Sequence, residues 1–454
     1  MIAARSSSSF SMYYSPATSN VFIPLSLIYT CVAHLWLYLR HGRSWRDTLV
    51  SELPPPSTFN NTDDNTDDNN DCCNRRCRPK IAIVTGANTG IGLQTAQTLV
   101  VQYGYHVILA CRSKDKALQA QQQISTIAAS ATTTAAATTS TNVGRAIVLD
   151  AVLDLSDVTS IQEFVQEVDQ TYGDNGGIDV LINNAGRNTT GELLTTKAKA
   201  TTTKNPATAN DSSLDLMFVS NYLGHFLLTR LLLESNLLKR DETNDTDQPK
   251  IILNVSSVMH HFISSDDDGT NRFASPSSND HSQYQYWKSR AHFRSAQTLP
   301  DVYSATKLAA ILHAMELNRR YSQSHGIYAM AVNPGAVNSD IWRGFPNWIR
   351  AVFRQVYLTT QQGSAPLVAG AVLGDEWRKR NVLYLQPYWN PSPSQSTTTD
   401  NTPMLPFTEM LGPYIGFAPT TARLPHNDGG LESAAILWQV SDDLVENVWV
   451  GSNE

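Results

Sequence analysis

KIAIVTGANTGIG, residues 80–92, decides the fold of this chain. Ile81, Ala82, Ile83 and Val84 form a short apolar run rich in β-branched side chains, which reads as a strand buried on both faces. It passes directly into Thr85, Gly86, Ala87, Asn88, Thr89, Gly90, Ile91 and Gly92. An amphipathic helix comes next, with Leu93, Ala96, Leu99 and Val100 on one face, and residues 105–110 (YHVILA) read as the second strand.

Strand, glycine turn, helix and strand in that order are the context a dinucleotide site requires. Gly86 permits the tight turn, and Gly90 lets backbone N–H groups approach a pyrophosphate. Gly92 allows close helix–strand packing, and the helix N-terminus favours an anion. Further apolar runs at 147–149, 178–182 and 251–255 continue the pattern of strands separated by helices. The reading is an α/β fold: a Rossmann-type doubly wound parallel sheet in three α/β/α layers, forming a single catalytic domain behind an N-terminal hydrophobic segment.

The GxxxGxG spacing after Thr85 resembles the short-chain dehydrogenase/reductase family. The resemblance implies that Thr85, Gly86, Asn88, Thr89, Gly90, Ile91 and Gly92 line the cofactor. After the second strand an acidic residue would bind a ribose 2′-hydroxyl; here Arg112 and Lys114 stand instead, which suits a 2′-phosphate and favours NADP(H) over NAD(H). In the family an LDL segment places its acid near the adenine, which points to Asp154 and Leu155; Asp150, in a similar LD pair, is the competitor. The run NNAG supplies Asn183, Ala185 and Gly186 at a strand's C-terminal end, with a structural role for part of the motif. Pro334, Gly335, Val337 and Ser339 complete the cofactor set, Ser339 keeping a hydroxyl where the family carries Thr.

The same resemblance implies a catalytic set of Asn221, Ser257, Tyr303 and Lys307, with Ser257 preferred to Ser256. Tyr303 and Lys307 are four apart, so one helix face presents both. An alkoxide formed by hydride transfer to a carbonyl needs a proton, which a phenol can donate. Its free pKa near 10 is poorly matched to neutral pH, and a nearby ammonium lowers it. Lys307 would do this while bonding the nicotinamide ribose. Ser257 would polarise the carbonyl, and Asn221 would hold a water that reconnects Lys307 to solvent. No metal is expected: His260 and His261 come after a strand and read as packing or rim residues.

Within the family, LACRSKDKA, NYLGHFLLT, NVSSVMHHF and YSATKLAAILHAMEL resemble the retinol dehydrogenase and WW-domain oxidoreductase-like branch. That implies a lipophilic carbonyl or alcohol of retinoid, sterol or long-chain aldehyde type. Ile341, Trp342, Arg343, Gly344, Phe345, Pro346 and Trp348 are candidate substrate contacts. A protochlorophyllide reductase-like enzyme and a non-catalytic NADP(H)-binding regulator are the alternatives. The catalytic domain is expected over 79–454, with polar insertions near 125–142, 195–213, 262–298 and 388–430. The third of these reads as a flap or rim over the site.

Charged residues are 17% and hydrophobic residues 41% of the 454, enough apolar material for a sizeable core. A net charge of −7 argues against nucleic acid as a partner, and five cysteines exclude a disulfide-stapled scaffold. Residues 1–50 contain one apolar stretch, 21–39, whose 19 residues rise about 28 Å as a helix, close to a bilayer's hydrocarbon thickness. Arg40, His41, Arg43 and Arg46 stand just beyond it, so the positive-inside rule puts the catalytic domain on the cytosolic side, with the endoplasmic reticulum expected and plastid targeting left open. Residues 51–78 read as an acidic linker containing Cys72, Cys73 and Cys77. A homodimer is left open.

Overall fold

The computed structural model describes residues 53, 78–134, 144–189, 192–195, 201–203, 213–240, 248–261, 280–292, 299–342, 347–388, 416–419 and 430–450. The expected anchor at 21–39, the linker cysteines and residues 343–346 lie outside the described residues.

The chain order of the main elements is β1 (Ile81–Thr85), α1 (Gly90–Tyr103), β2 (His106–Ala110), α2 (Lys114–Thr134), β3 (Arg145–Ile147), α3 (Val158–Tyr172), β4 (Val180–Asn183), β5 (Leu193–Thr195), β6 (Thr201–Thr203) and β7 (Leu214–Asp215). A π-helical turn, Val219–Leu223, leads into α4 (Gly224–Glu234) and β8 (Lys250–Val255). Beyond them lie α5 (Asp280–Ala291), α6 (Leu299–Tyr321), β9 (Ile327–Val332), α7 (Asn347–Val356), α8 (Thr360–Val372), β10 (Tyr384–Tyr388), β11 (Gly416–Pro419) and α9 (Leu431–Asp443).

The main sheet runs β11-β10-β9-β8-β4-β1-β2-β3. All neighbours pair in parallel except the edge pair β10 and β11. The chain winds outward from β1 in one direction through β2 and β3, then in the other through β4, β8, β9 and β10. Strand order therefore reverses between β1 and β4, the switch point where doubly wound sheets bind ligands. One core cluster on the sheet gathers side chains of α3, α4, α6 and α9; a second gathers α1, α2 and α8. These are the outer layers of a three-layer α/β/α fold. β5, β6 and β7 form a separate antiparallel sheet.

The central strands fall where the apolar runs place them, but β3 is Arg145–Ile147 rather than 147–149. All four expected insertions contain described elements, β6 lying in 195–213 and β11 in 388–430. Residues 125–134 continue α2, and the described part of 262–298 is the helix α5. Tyr286 and Trp287 of α5 are buried in the core. Gln283 accepts a hydrogen bond from Ser433 at 2.6 Å, and Tyr284 donates to Asp443 at 2.5 Å. The late aromatics of that segment thus dock α5 onto α9; the rest of the segment expected as a flap or rim, 262–279 and 293–298, lies outside the described residues. Among the described residues one helical stretch, Leu216–Glu234, is long and apolar enough to cross a membrane, and 83% of its window is buried inside the fold. It is a core helix.

Candidate active site

Backbone geometry at the β1–α1 turn requires glycine. Gly86 and Gly90 have φ of +66° and +60°, a region that side-chain-bearing residues rarely adopt. Gly92 has ordinary backbone angles, but a Cβ there would sit 2.6 Å from the Gly86 carbonyl oxygen and 2.5 Å from Asn184 Nδ2. Thr89 is the N-cap of α1, yet its side chain makes no capping bond; its hydroxyl donates to Asp340 Oδ2 at 2.6 Å. The first N–H groups of α1 therefore have no side-chain cap in front of the turn. A cradle that added Cβ atoms would fill, at an uncapped helix N-terminus, fits a dinucleotide pyrophosphate.

Thr85 has a different place from the one expected. It is completely buried, and its hydroxyl oxygen accepts the backbone N–H of Asn184 and of Ala185, each at 2.9 Å. It holds the NNAG turn against β1 from behind. Asn183 is also turned into the core, donating to Asn254 Oδ1 at 2.9 Å and to Thr229 Oγ1 at 3.2 Å. Leu155 is buried against Gly224, and Asp154 Oδ1 closes a local turn by accepting from the Ser156 N–H and hydroxyl. Ser339 lies beside Gly90, and Val337 packs with Ile91 and Leu358, so the segment after Pro334 and Gly335 is folded over the glycine turn. Ile341 and Trp342 sit in the short 3-10 turn just beyond, and Trp348 of α7 is 68% exposed.

At the other end of the crevice the four expected catalytic residues converge. Ser257 comes two residues after β8, and its side chain is near enough to Tyr303 on α6 to oppose the rise of the phenol. Lys307 Nζ lies 5.4 Å from the centroid of the Tyr303 ring and donates to Val255 O at 2.9 Å. Ser256 is buried, and its hydroxyl donates to Lys307 O at 2.7 Å. Gly186 brings the NNAG turn to the same point: a Cβ there would lie 3.5 Å from Asn221 Oδ1 and 3.9 Å from Lys307 Nζ.

Two expectations change. Asn221 stands in the π-helical turn, and its amide is engaged with the main chain. Its Oδ1 accepts from Arg187 N at 2.7 Å, and its Nδ2 donates to Arg187 O at 2.9 Å. The side chain pins the residue after Gly186, where the sequence suggested a water holder. Nor does the phenol fall below its ordinary value beside the lysine. Burial pushes Tyr303 up to about 12, opposed by Ser257, and burial pulls Lys307 down to about 8. Desolvation penalises phenolate and ammonium alike, and it outweighs their mutual attraction here.

His225, part of NYLGHFLLT, was given no role by the sequence. Its Nδ1 faces the Asn221 carbonyl at 3.2 Å and its Nε2 faces Thr85 Oγ1 at 2.9 Å. A carbonyl can only accept, so Nδ1 carries the proton and Nε2 accepts from the Thr85 hydroxyl. Burial pulls this histidine down to about 4, consistent with a neutral ring. A directed chain of hydrogen bonds thus runs from the Asn184 and Ala185 N–H groups through Thr85 and His225 to Asn221. The spacing of Asn221 and His225 on one helix face was visible; the pairing with β1 was not.

At the end of β2, Arg112 is exposed, and Lys114 Nζ pairs with Asp150 Oδ1 at 2.6 Å. Among the described residues no group of three or more His, Cys, Asp or Glu could hold a metal ion.

Residues 80–263 match the family model for short chain dehydrogenase. Human retinol dehydrogenase 11 is 32% identical over 63% of this chain and 70% of its own length. The WW domain-containing oxidoreductase of Gallus gallus is 29% identical over 69% of this chain and 63% of its own. A short-chain dehydrogenase from Sphingobium yanoikuyae, solved in complex with NADPH, is 16% identical, with a TM-score of 0.40 over 67% of this chain and 86% of that one. The chain belongs to the short-chain dehydrogenase/reductase family and is an oxidoreductase acting on CH–OH groups with NAD(P). Within that family it falls in the retinol dehydrogenase and WW-domain oxidoreductase branch.

Proposed function

We propose that this protein is an NADP(H)-dependent oxidoreductase that interconverts a lipophilic carbonyl and its alcohol, with Tyr303 as the acid/base. The observation that carries the reading is the meeting of Ser257, Tyr303, Lys307 and Gly186 at the switch point of the sheet. Gly86, Asn88, Gly90, Ile91 and Gly92 would hold the pyrophosphate, and Gly186, Tyr303, Lys307 and Ser339 the nicotinamide end. When bound, the nicotinamide supplies or takes the hydride. Ser257 orients the substrate oxygen by a hydrogen bond. The Tyr303 hydroxyl gives that oxygen its proton in reduction and takes it back in oxidation. Raised to about 12, the phenol stays protonated at neutral pH, the form that reduction needs. Lys307, beside the ring, supplies positive charge that stabilises the phenolate left after transfer.

The exposed guanidinium of Arg112 and the ammonium of Lys114 support a 2′-phosphate and hence NADP(H). The name of the human relative supports a retinoid as the first substrate class to try. The apolar stretch at 21–39 supports attachment to the endoplasmic reticulum membrane with the catalytic domain in the cytosol. The proposed organisation remains 1–50, 51–78 and 79–454.

The test uses the full chain in lipid nanodiscs with a panel of retinals, sterol ketones and long-chain aldehydes. NADPH consumption with at least one of these is expected, and NADPH should bind more tightly than NADH. Tighter binding of NADH would overturn the cofactor reading, and turnover only of short polar carbonyls would overturn the substrate class. Release of the full chain from membranes by alkaline carbonate would overturn the anchor.

A further inference from the structure

Lys114 already holds an anion of this chain's own. Its Nζ lies 2.6 Å from Asp150 Oδ1, with the two side chains 42% and 95% exposed. Lys114 opens α2 directly after β2, and Asp150 comes after β3, the strand paired with β2, so both project from the carboxyl ends of neighbouring strands. The lysine holds the Asp150 carboxyl below its ordinary range. Asp150 is also fixed from behind. Its backbone N–H donates to Glu167 Oε1 at 2.8 Å, and the Ala151 N–H donates to Glu167 Oε2 at 2.6 Å. Glu167 lies on α3, so one carboxylate grips the loop that carries the other. Arg112, two residues before Lys114, is exposed and has no ion pair among the described residues.

We propose that Asp150 is a specificity-determining residue of the adenosine end: clamped by Glu167, its carboxylate stands on Lys114 where a ribose 2′-phosphate would, and the phosphate must displace it. The proposal rests on the reading of the β2 end as the ribose site. A dinucleotide without the 2′-phosphate leaves the pair intact. One with it exchanges an exposed ion pair for another and meets the repulsion of the displaced carboxylate. Asp150 therefore narrows the preference for NADP(H) that Arg112 and Lys114 would otherwise give, and Glu167 is the positioning residue that keeps it there.

The experiment is calorimetric titration of the full chain with adenosine 2′,5′-bisphosphate and with 5′-AMP, which differ only in the 2′-phosphate and need no substrate. Asp150→Asn should tighten the bisphosphate about fivefold at low salt and leave 5′-AMP unchanged, the upper range for an exposed pair. The gain should vanish in the Lys114→Ala background and shrink as salt rises. Glu167→Gln should give a smaller gain in the same direction. Retained 5′-AMP binding shows that each variant is folded. If Asp150→Asn leaves the ratio of the two ligands unchanged while Arg112→Ala weakens the bisphosphate, the Asp150 proposal is wrong and the NADP(H) reading stands. If the bisphosphate binds no better than 5′-AMP in the wild type and in every variant, both are wrong.

Discussion

The two ends of the crevice are built from opposite materials. At the proposed nicotinamide end, Ser256, Lys307, Asn221 and Thr85 are buried and tied to main-chain atoms of another segment, and buried His225 bonds the Asn221 carbonyl one turn earlier and the Thr85 hydroxyl. At the proposed adenosine end, Arg112, Lys114 and Asp150 lie at the surface. Buried polar groups are costly to leave unpaired, so substitutions at the first end should act nearly all-or-none. Exposed ion pairs are weak and screened, so substitutions at the second should be graded and salt-dependent.

The largest effect that would break this contrast lies at Lys307. Lys307→Met should lower turnover at least about 100-fold with dinucleotide binding largely kept, measured by steady-state kinetics alongside calorimetry. Its titration gives a signed pH dependence. Lys307 is pulled down to about 8, so reduction should fall as pH rises through about 8, well before Tyr303 ionises. The same depressed value means that the folded chain binds fewer protons than the unfolded chain between about pH 8 and the ordinary lysine value. Stability contributed by this site therefore rises with pH across that window, and Lys307→Met should flatten the rise in denaturant titrations.

Next comes Gly92→Ala, whose Cβ meets the Gly86 carbonyl at 2.6 Å. Overpacking of this kind costs about 1–3 kcal/mol, and binding of both NADPH and NADH should fall together. The hydrogen-bond chain predicts coupling between two residues distant in sequence. Thr85→Val and His225→Phe should be non-additive in stability by about 0.5–3 kcal/mol in a double-mutant cycle, while Thr85→Ser should retain wild-type behaviour. The smallest effect is at the exposed rim. Asp340→Asn removes a carboxylate beside the uncapped α1 terminus and should tighten dinucleotide no more than about threefold, and less at high salt.

The strands and the glycine turn were legible because their signals are local. An apolar run flanked by turn residues fixes β1, β4 and β8, and the spacing of Gly86, Gly90 and Gly92 fixes the turn from β1 into α1. The convergence of Ser257, Tyr303 and Lys307 was legible through family resemblance. The features that were not legible depend on tertiary packing. The π-helical turn that sets Asn221 against Arg187, the bond from Thr85 to His225, and the docking of α5 through Tyr286 and Trp287 each join segments distant in the sequence. The sign of the Tyr303 shift belongs with them. Spacing brings an ammonium near a phenol, but only the packed environment decides whether desolvation or attraction prevails.

The most direct measurement is a paired one on Tyr303→Phe: NADPH affinity by fluorescence titration and single-turnover reduction of an accepted carbonyl by the same preparation. With Tyr303 as the proton donor, affinity should stay within about twofold of wild type while the rate drops by about a thousandfold or more. A rate close to wild type, with NADPH still bound, would contradict the assignment of the proton to this hydroxyl.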